Sequence, residues 1–139
     1  MNIVITGSRM LGAGRDPMGD LTELGAKQQK WMHLILKDYF CKPGMTMING
    51  CAPGVDNICL EWAEAMNRAD RDNQINIIRM PAEWNKYGKQ AGYLRNAEMV
   101  SLGDCVLAFW NGASRGTKHT IDLALSSGKS VHVNIWRKS

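Results

Sequence analysis

Arginine, hydroxyl side chains and glycines recur together at two places in this 139-residue chain, and a third place pairs glycines with a carboxylate; each follows an apolar run. The fullest is Asn111 to Thr120, NGASRGTKHT, directly after Cys105-Val-Leu-Ala-Phe-Trp110 and ahead of a helical pattern. Gly112 and Gly116 let a ligand approach the backbone, while Ser114, Thr117 and the first free N–H groups of the helix offer donors to an anion. Arg115, in the same loop, either points outward or joins them. Thr6-Gly7-Ser8-Arg9 repeats the arrangement after the first apolar run, with Arg9 placed to pair with a phosphate. Asn49-Gly50-Cys-Ala-Pro-Gly54 is the third loop, and Asp56 follows it at a helix start, where it either partners the helix dipole or accepts from ribose hydroxyls. No single loop is enough. Micromolar affinity needs about 8 kcal/mol, whereas a helix N-terminus gives about 0.3–1 and each hydrogen bond to a charged group about 1.5–3. Two loops, an arginine and a stacked base reach that sum, and Trp84 and Tyr87 are the aromatics available for stacking.

The elements that must position these loops alternate. Residues 2–6 are a short β-branched run ending at Gly7, as expected of a buried central strand. Met10 to Gly19, rich in glycine, reads as a mobile loop and a candidate lid. Asp20 and Glu23 have capping-box spacing, and Leu24, Trp31, Leu34 and Ile35 repeat on one helical face up to about Phe40. Met45 to Asn49 is the second strand; Val55, Ile58, Cys59, Trp62, Ala63 and Met66 mark the next amphipathic helix. Ile75 to Met80 is the third strand, Ala82 to Gly92 a shaped loop, and Leu94 to about Leu102 a helix carrying Arg95, Asn96 and Met99. Cys105 to Trp110 is the fourth strand, Thr117 to Ser127 a helix with Gly128 at C′, and Ser130 to Trp136 a final strand with one wetter face. This pattern predicts an α/β fold, a Rossmann-like, doubly wound and mainly parallel sheet of about five strands flanked by helices. In such a sheet the three loops share one crevice at the carboxyl edge.

The length predicts one domain over residues 1–139. The 45% hydrophobic and 22% charged balance is that of a soluble globular protein, with no membrane-length apolar window and no signal-peptide pattern at the N-terminus, so a cytoplasmic location is expected. Cys41, Cys51, Cys59 and Cys105 form no CxxC pair, and with His33, His119 and His132 scattered there is no zinc spacing; no metal and no cofactor are expected. His119, on the first turn of its helix, reads as structural or exposed. The net charge of +4 suits an anionic ligand, but the basic residues are dispersed, so nucleic acid is set aside as a partner.

Thr6-Gly-Ser-Arg9, Asn49-Gly-Cys-Ala-Pro-Gly-Val-Asp56, Pro81-Ala-Glu-Trp84 with Tyr87-Gly-Lys-Gln-Ala-Gly92, Arg95-Asn-Ala-Glu-Met99 and Gly112-Ala-Ser-Arg-Gly-Thr117 together resemble the SLOG superfamily, named for its Smf/DprA and Lonely-guy members. The likeness is greatest to its small stand-alone YspA/YpsA-like branch, found in bacteria and phages. The resemblance implies a homodimeric protein binding nucleotides or nucleotide-derived ligands of the ADP-ribose or NAD type, with Asn96 in the ligand-binding set. Some relatives cleave the N-glycosidic bond of nucleoside monophosphates. Arg95 matches the arginine those enzymes set beside the sugar, but their catalytic glutamate falls at Thr120, three residues after Thr117. Glu98 and Asp56 are then the nearest carboxylates by motif, with Arg95 and Glu98 the candidate catalytic pair.

The expected function is capture of a phosphate-bearing nucleotide or nucleotide-derived ligand, as a sensor or sequestering protein. An N-glycosidase acting on nucleoside 5′-monophosphates is the first alternative, and DprA-like binding of single-stranded DNA the second.

Overall fold

The computed structural model describes residues 1–137. Its strands are β1 (Asn2–Gly7), β2 (Thr46–Asn49), β3 (Asn76–Arg79), β4 (Cys105–Trp110) and β5 (Ser130–Ile135). The helices are α1 (Glu23–Tyr39), α2 (Val55–Ala69), α3 (Trp84–Tyr87), α4 (Ala91–Leu102) and α5 (Arg115–Ser126), with a 3-10 turn at Gly88–Gln90 between α3 and α4. All strands are parallel, in the order β3-β2-β1-β4-β5. That is the Rossmann-like α/β architecture expected from the alternation.

Register explains the core. Ile3 pairs with Met47 on one side and Cys105 on the other, so alternate residues of neighbouring strands share a face. Ile3, Ile5, Met47, Leu107 and Phe109 pack with Met32 and Leu36 of α1 and Ile58, Cys59 and Trp62 of α2. Val4, Ile48 and Val106 face the other way, against Met99 and Val100 of α4 and Ala124 of α5. Both faces of the three inner strands are therefore dry, which is why β1 and β4 read as unbroken apolar runs. Burying a side chain the size of Phe109 stabilises the fold by about 1.5–3 kcal/mol.

Several local expectations change. The α1 cap is Thr22, whose hydroxyl accepts from Gly25 N at 3.0 Å, and not Asp20. The fully buried positions of α1 are Gly25, Gln28, Met32 and Leu36; of the expected face, Trp31 and Ile35 pack against the core, whereas Leu24 and Leu34 are 50% and 61% exposed. Gln28 turns inward because its Oε1 accepts from Gly12 N at 2.8 Å, while Gln29 Nε2 donates to Gly12 O at 2.9 Å. Leu11 is buried, Gly12 is bonded to α1 on both its N–H and its carbonyl, and Asp16 accepts from the Met18 and Asp20 amides within the loop, so the segment is tied down at Gly12 and folded on itself, and the lid reading is withdrawn. Helix α4 begins at Ala91, three residues ahead of Leu94, and the shaped loop contains α3. At the end of α5, Lys129 N donates to Ala124 O and Gly128 N to Leu125 O, a Schellman motif with Gly128 at C′ as expected. Strand β5 lies at a sheet edge, in keeping with its wetter face.

Among the described residues, no helix is long and apolar enough to cross a membrane.

Candidate functional site

The strand order reverses direction between β1 and β4, and the crevice beyond their carboxyl ends is where ligands of open α/β sheets bind. Here that crevice is a cavity of about 430 Å³. Its floor is fixed by Ser8, which is almost fully buried. Ser8 N donates to Phe109 O at 3.1 Å, and Ser8 Oγ accepts from Asn111 N at 3.1 Å, tying the loop after β1 to the loop after β4. A third loop joins through Gly54, whose φ is +84° and whose missing Cβ would lie 2.0 Å from the Arg9 carbonyl oxygen. Only glycine allows that approach of the two backbones.

The anion-binding side is the start of α5. Asn111 Oδ1 accepts from the Ala113 and Ser114 amides at 2.9 and 3.0 Å, shaping the turn. Thr117 Oγ1 donates to Ser114 Oγ at 3.1 Å, and the first intrahelical bond from this turn is Lys118 N to Ser114 O. The amides of Arg115, Gly116 and Thr117 precede that bond, as the free donors of a helix N-terminus do. Ser114, Gly116 and Thr117 line the cavity opposite Thr6, Gly7, Ser8 and Arg9.

Asp56 and Arg95 supply the opposite wall. Arg95 Nη1 donates to Gly50 O at 2.6 Å, and its Nε to Asn96 Oδ1 at 3.0 Å. Asn96 Nδ2 in turn lies 3.4 Å from His119 Nδ1, and the His119 and Tyr93 rings pack edge to face with centroids 4.6 Å apart. Burial lowers the His119 pKa. Asp56 Oδ2 accepts from Ala52 N at 3.2 Å, and Asn49 Nδ2 donates to the Asp56 carbonyl at 2.9 Å, holding the start of α2 to the end of β2. Burial pushes the Asp56 carboxyl from 3.8 up to about 6, against the pull of the Ala52 amide, Arg95 and Arg9. Asp56 is buried and lines the cavity, where its carboxyl can accept from a hydroxyl, or donate to an anion once protonated.

Eleven of the residues singled out from sequence therefore converge on one wall or another: Thr6, Gly7, Ser8, Arg9, Asp56, Trp84, Arg95, Asn96, Ser114, Gly116 and Thr117. Others do not. Gly112 and Arg115 are exposed and lie off the wall, and Gly50 and Gly54 act behind it, by admitting Arg95 and Arg9 respectively. Glu98 lines a separate cavity on the far side of Arg95, because its position on α4 turns it away from the face shared by Asn96 and Met99. The Arg95–Glu98 pair is thus split. Tyr87 goes with Glu98, and Tyr93 with Trp84 forms the aromatic rim of the main cavity. Thr120, at the glutamate position, is fully buried and its hydroxyl donates to Gly116 O at 3.3 Å. Sequence reasoning missed Met10, Lys89, Tyr93 and Asn111; Tyr93 escaped because the expected helix began at Leu94, three residues after α4 does, and Asn111 because its contribution is a turn. Among the described residues no group of three or more His, Cys, Asp or Glu side chains is placed to hold a metal ion.

Fold and cavity together define a Rossmann-like α/β protein with a polar, arginine-bearing crevice at the switch point of its sheet. The chain belongs to the family of the Gene 61 protein of Mycobacterium phage D29, to which it is 40% identical over 89 residues, covering 63% of this chain and 70% of that relative. No protein-family model matches it. Among solved structures it resembles DNA processing protein A (DprA) from Helicobacter pylori, a structure described for its single-stranded DNA binding mode, with a TM-score of 0.60 and 20% identity. That likeness covers 99% of this chain and 66% of the other, so this chain spans just under two thirds of it. The shared fold accords with the Smf/DprA side of the superfamily resemblance. It also overturns the setting aside of nucleic acid: a protein of this fold binds single-stranded DNA, and dispersed basic residues do not argue otherwise. Arg9, Lys89 and Arg95, scattered in sequence, meet around one cavity.

Proposed function

We propose that this chain binds a nucleotide through its phosphate, which sits between the α5 N-terminus and Arg9. The nucleotide's ribose faces Asp56 and Asn96, and its base lies against Trp84 and Tyr93. The observation that carries the reading is the convergence of the Thr6–Arg9 and Ser114–Thr117 segments, through the Ser8 bonds, on a cavity of about 430 Å³. That volume falls within the roughly 300–1,000 Å³ of small-molecule sites. Within the superfamily, this reading fits a stand-alone SLOG-like domain of the YspA/YpsA-like branch that senses or sequesters a free nucleotide derivative.

The likeness to DprA favours a second reading in which the phosphate belongs to single-stranded DNA. The cavity then holds one nucleotide of the strand, and the cations at its mouth follow the backbone. Titration calorimetry with AMP, ADP-ribose, NAD and a short oligothymidylate separates the two, with chromatography of each mixture for released base. Saturable binding of a free nucleotide supports capture. Binding of the oligonucleotide alone, weakening steeply with salt, supports the strand. Arg9→Ala and Gly116→Val should each abolish binding, and unchanged affinity in both would remove the site.

A further inference from the structure

Arg95 is a partition between two cavities. On one side is the main crevice; on the other is a shallower hollow of about 690 Å³ between the end of β3 and α4, walled by Met80, Pro81, Tyr87 and Leu94. The guanidinium is held in that position by Gly50 O and, at 3.5 Å, by Met80 O. Two carboxylates, Glu83 and Glu98, line the second hollow, and Arg95 is the one cation among its lining residues. Among the described residues neither glutamate has an ion-pair partner within 4.0 Å. The phosphate site does not account for this hollow, although most of its lining comes from the Pro81–Trp84, Tyr87–Gly92 and Arg95–Met99 strings.

We infer that the ligand continues across Arg95, and that the second hollow receives a further sugar unit that carries no phosphate at its far end. The inference rests on the proposed phosphate site and extends it. A phosphate linking two sugars can lie along Arg95. Beyond it, Tyr87 and Leu94 offer an apolar wall to a ring, and the two glutamates accept from hydroxyls. The same glutamates repel a second anion, so a terminal hydroxyl is selected over a terminal phosphate. This chemistry is shared by the 3′ end of a strand and by a pyrophosphate-linked dinucleotide, which differ in the length of the bridge.

The test uses the whole chain and four probes: AMP, the 5′-phosphorylated dinucleotide pApA with a 3′-hydroxyl, the same dinucleotide with a 3′-phosphate, and the pyrophosphate-bridged diadenosine. At least one of the two hydroxyl-ended dinucleotides should bind about tenfold more tightly than AMP, as one further hydrogen bond to a charged group allows. Whichever gains more identifies the bridge. Where pApA gains, the 3′-phosphate should cancel that gain, and Glu98→Gln should relieve the discrimination while leaving AMP affinity unchanged. If AMP and all three dinucleotides fail to bind, the phosphate site itself is wrong. If AMP binds and neither hydroxyl-ended dinucleotide binds more tightly, or pApA gains and its 3′-phosphate leaves that gain intact, the second hollow has no such role and the phosphate site stands.

Discussion

Replacing Gly50 with alanine should empty the Arg95 position without unfolding the protein. The φ of Gly50 is not positive, so alanine brings no backbone strain; the conflict is local. A Cβ there would lie 2.6 Å from Arg95 Nη1 and 2.9 Å from Cζ, well inside contact distance, and 3.1 Å from Asp56 Oδ2. The guanidinium is the free end of a flexible side chain and will give way, losing its hydrogen bond to Gly50 O. One charge-assisted bond in a partly buried setting is worth about 1.5–3 kcal/mol, so the urea midpoint should fall by a corresponding amount and ligand affinity by about tenfold or more. A second consequence is electrostatic. Arg95 is one of the groups holding the Asp56 carboxyl down, so its departure should raise the Asp56 titration midpoint above about 6, as read by carboxyl-carbon NMR. Arg95→Ala should do the same, and the double variant should add little to either. An Asp56 midpoint unmoved in both single variants would refute the claim that Arg95 and Asp56 act on each other across Gly50.

Asp56→Asn tests the buried carboxylate directly. Its folded pKa, about 6, is raised above the unfolded 3.8, so the folded state holds the proton more tightly. The stability this gives is complete below about pH 4 and is lost as pH rises through about 6, amounting to about 3 kcal/mol in order of magnitude. Asparagine keeps an acceptor for Ala52 N, so the variant should be the more stable protein at pH 8 and should flatten the stability profile between pH 4 and 7 in denaturation series. Ser8→Ala should cost about 1 kcal/mol through the lost acceptor for Asn111 N, with faster hydrogen exchange at Asn111 as the local readout. Thr120→Glu, which writes the Lonely-guy glutamate into this chain, should destabilise it and produce no released base. Its side chain would be buried beside Gly116 O instead of facing the cavity, and a melting temperature equal to the parent's would contradict that.

The strands were legible because inner parallel strands must be apolar on both faces, so Cys105 to Trp110 and Asn2 to Thr6 stood out as runs bounded by glycine or polar loops. The phosphate-side loops were legible for a related reason: a close backbone approach demands glycine, and a strand followed by a helix start fixes where the loop opens. What stayed hidden depended on contacts distant in sequence. Gln28 is polar in sequence yet buried in the fold, because its partner is Gly12 N, and this misdirected the face of α1. Glu98 sits in a motif beside Arg95, but one helical step decides which cavity a side chain enters. The convergence of Arg9, Lys89 and Arg95 could not be read from their spacing, and the dismissal of nucleic acid followed from reading charge along the chain instead of across the fold.

Asn111 N reaches Ser8 Oγ across 103 positions, and β1 lies between β2 and β4. Until β4 has been made and inserted, β1 is an uncovered edge carrying Ile3, Val4 and Ile5, with an open ladder of backbone groups ready to pair with another chain. A product that stops short of Cys105 would therefore lack the cavity and would also offer a template for aggregation. During synthesis this is the interval of greatest risk, because the pairing that protects β1 is also among the least local in the molecule and slow to form.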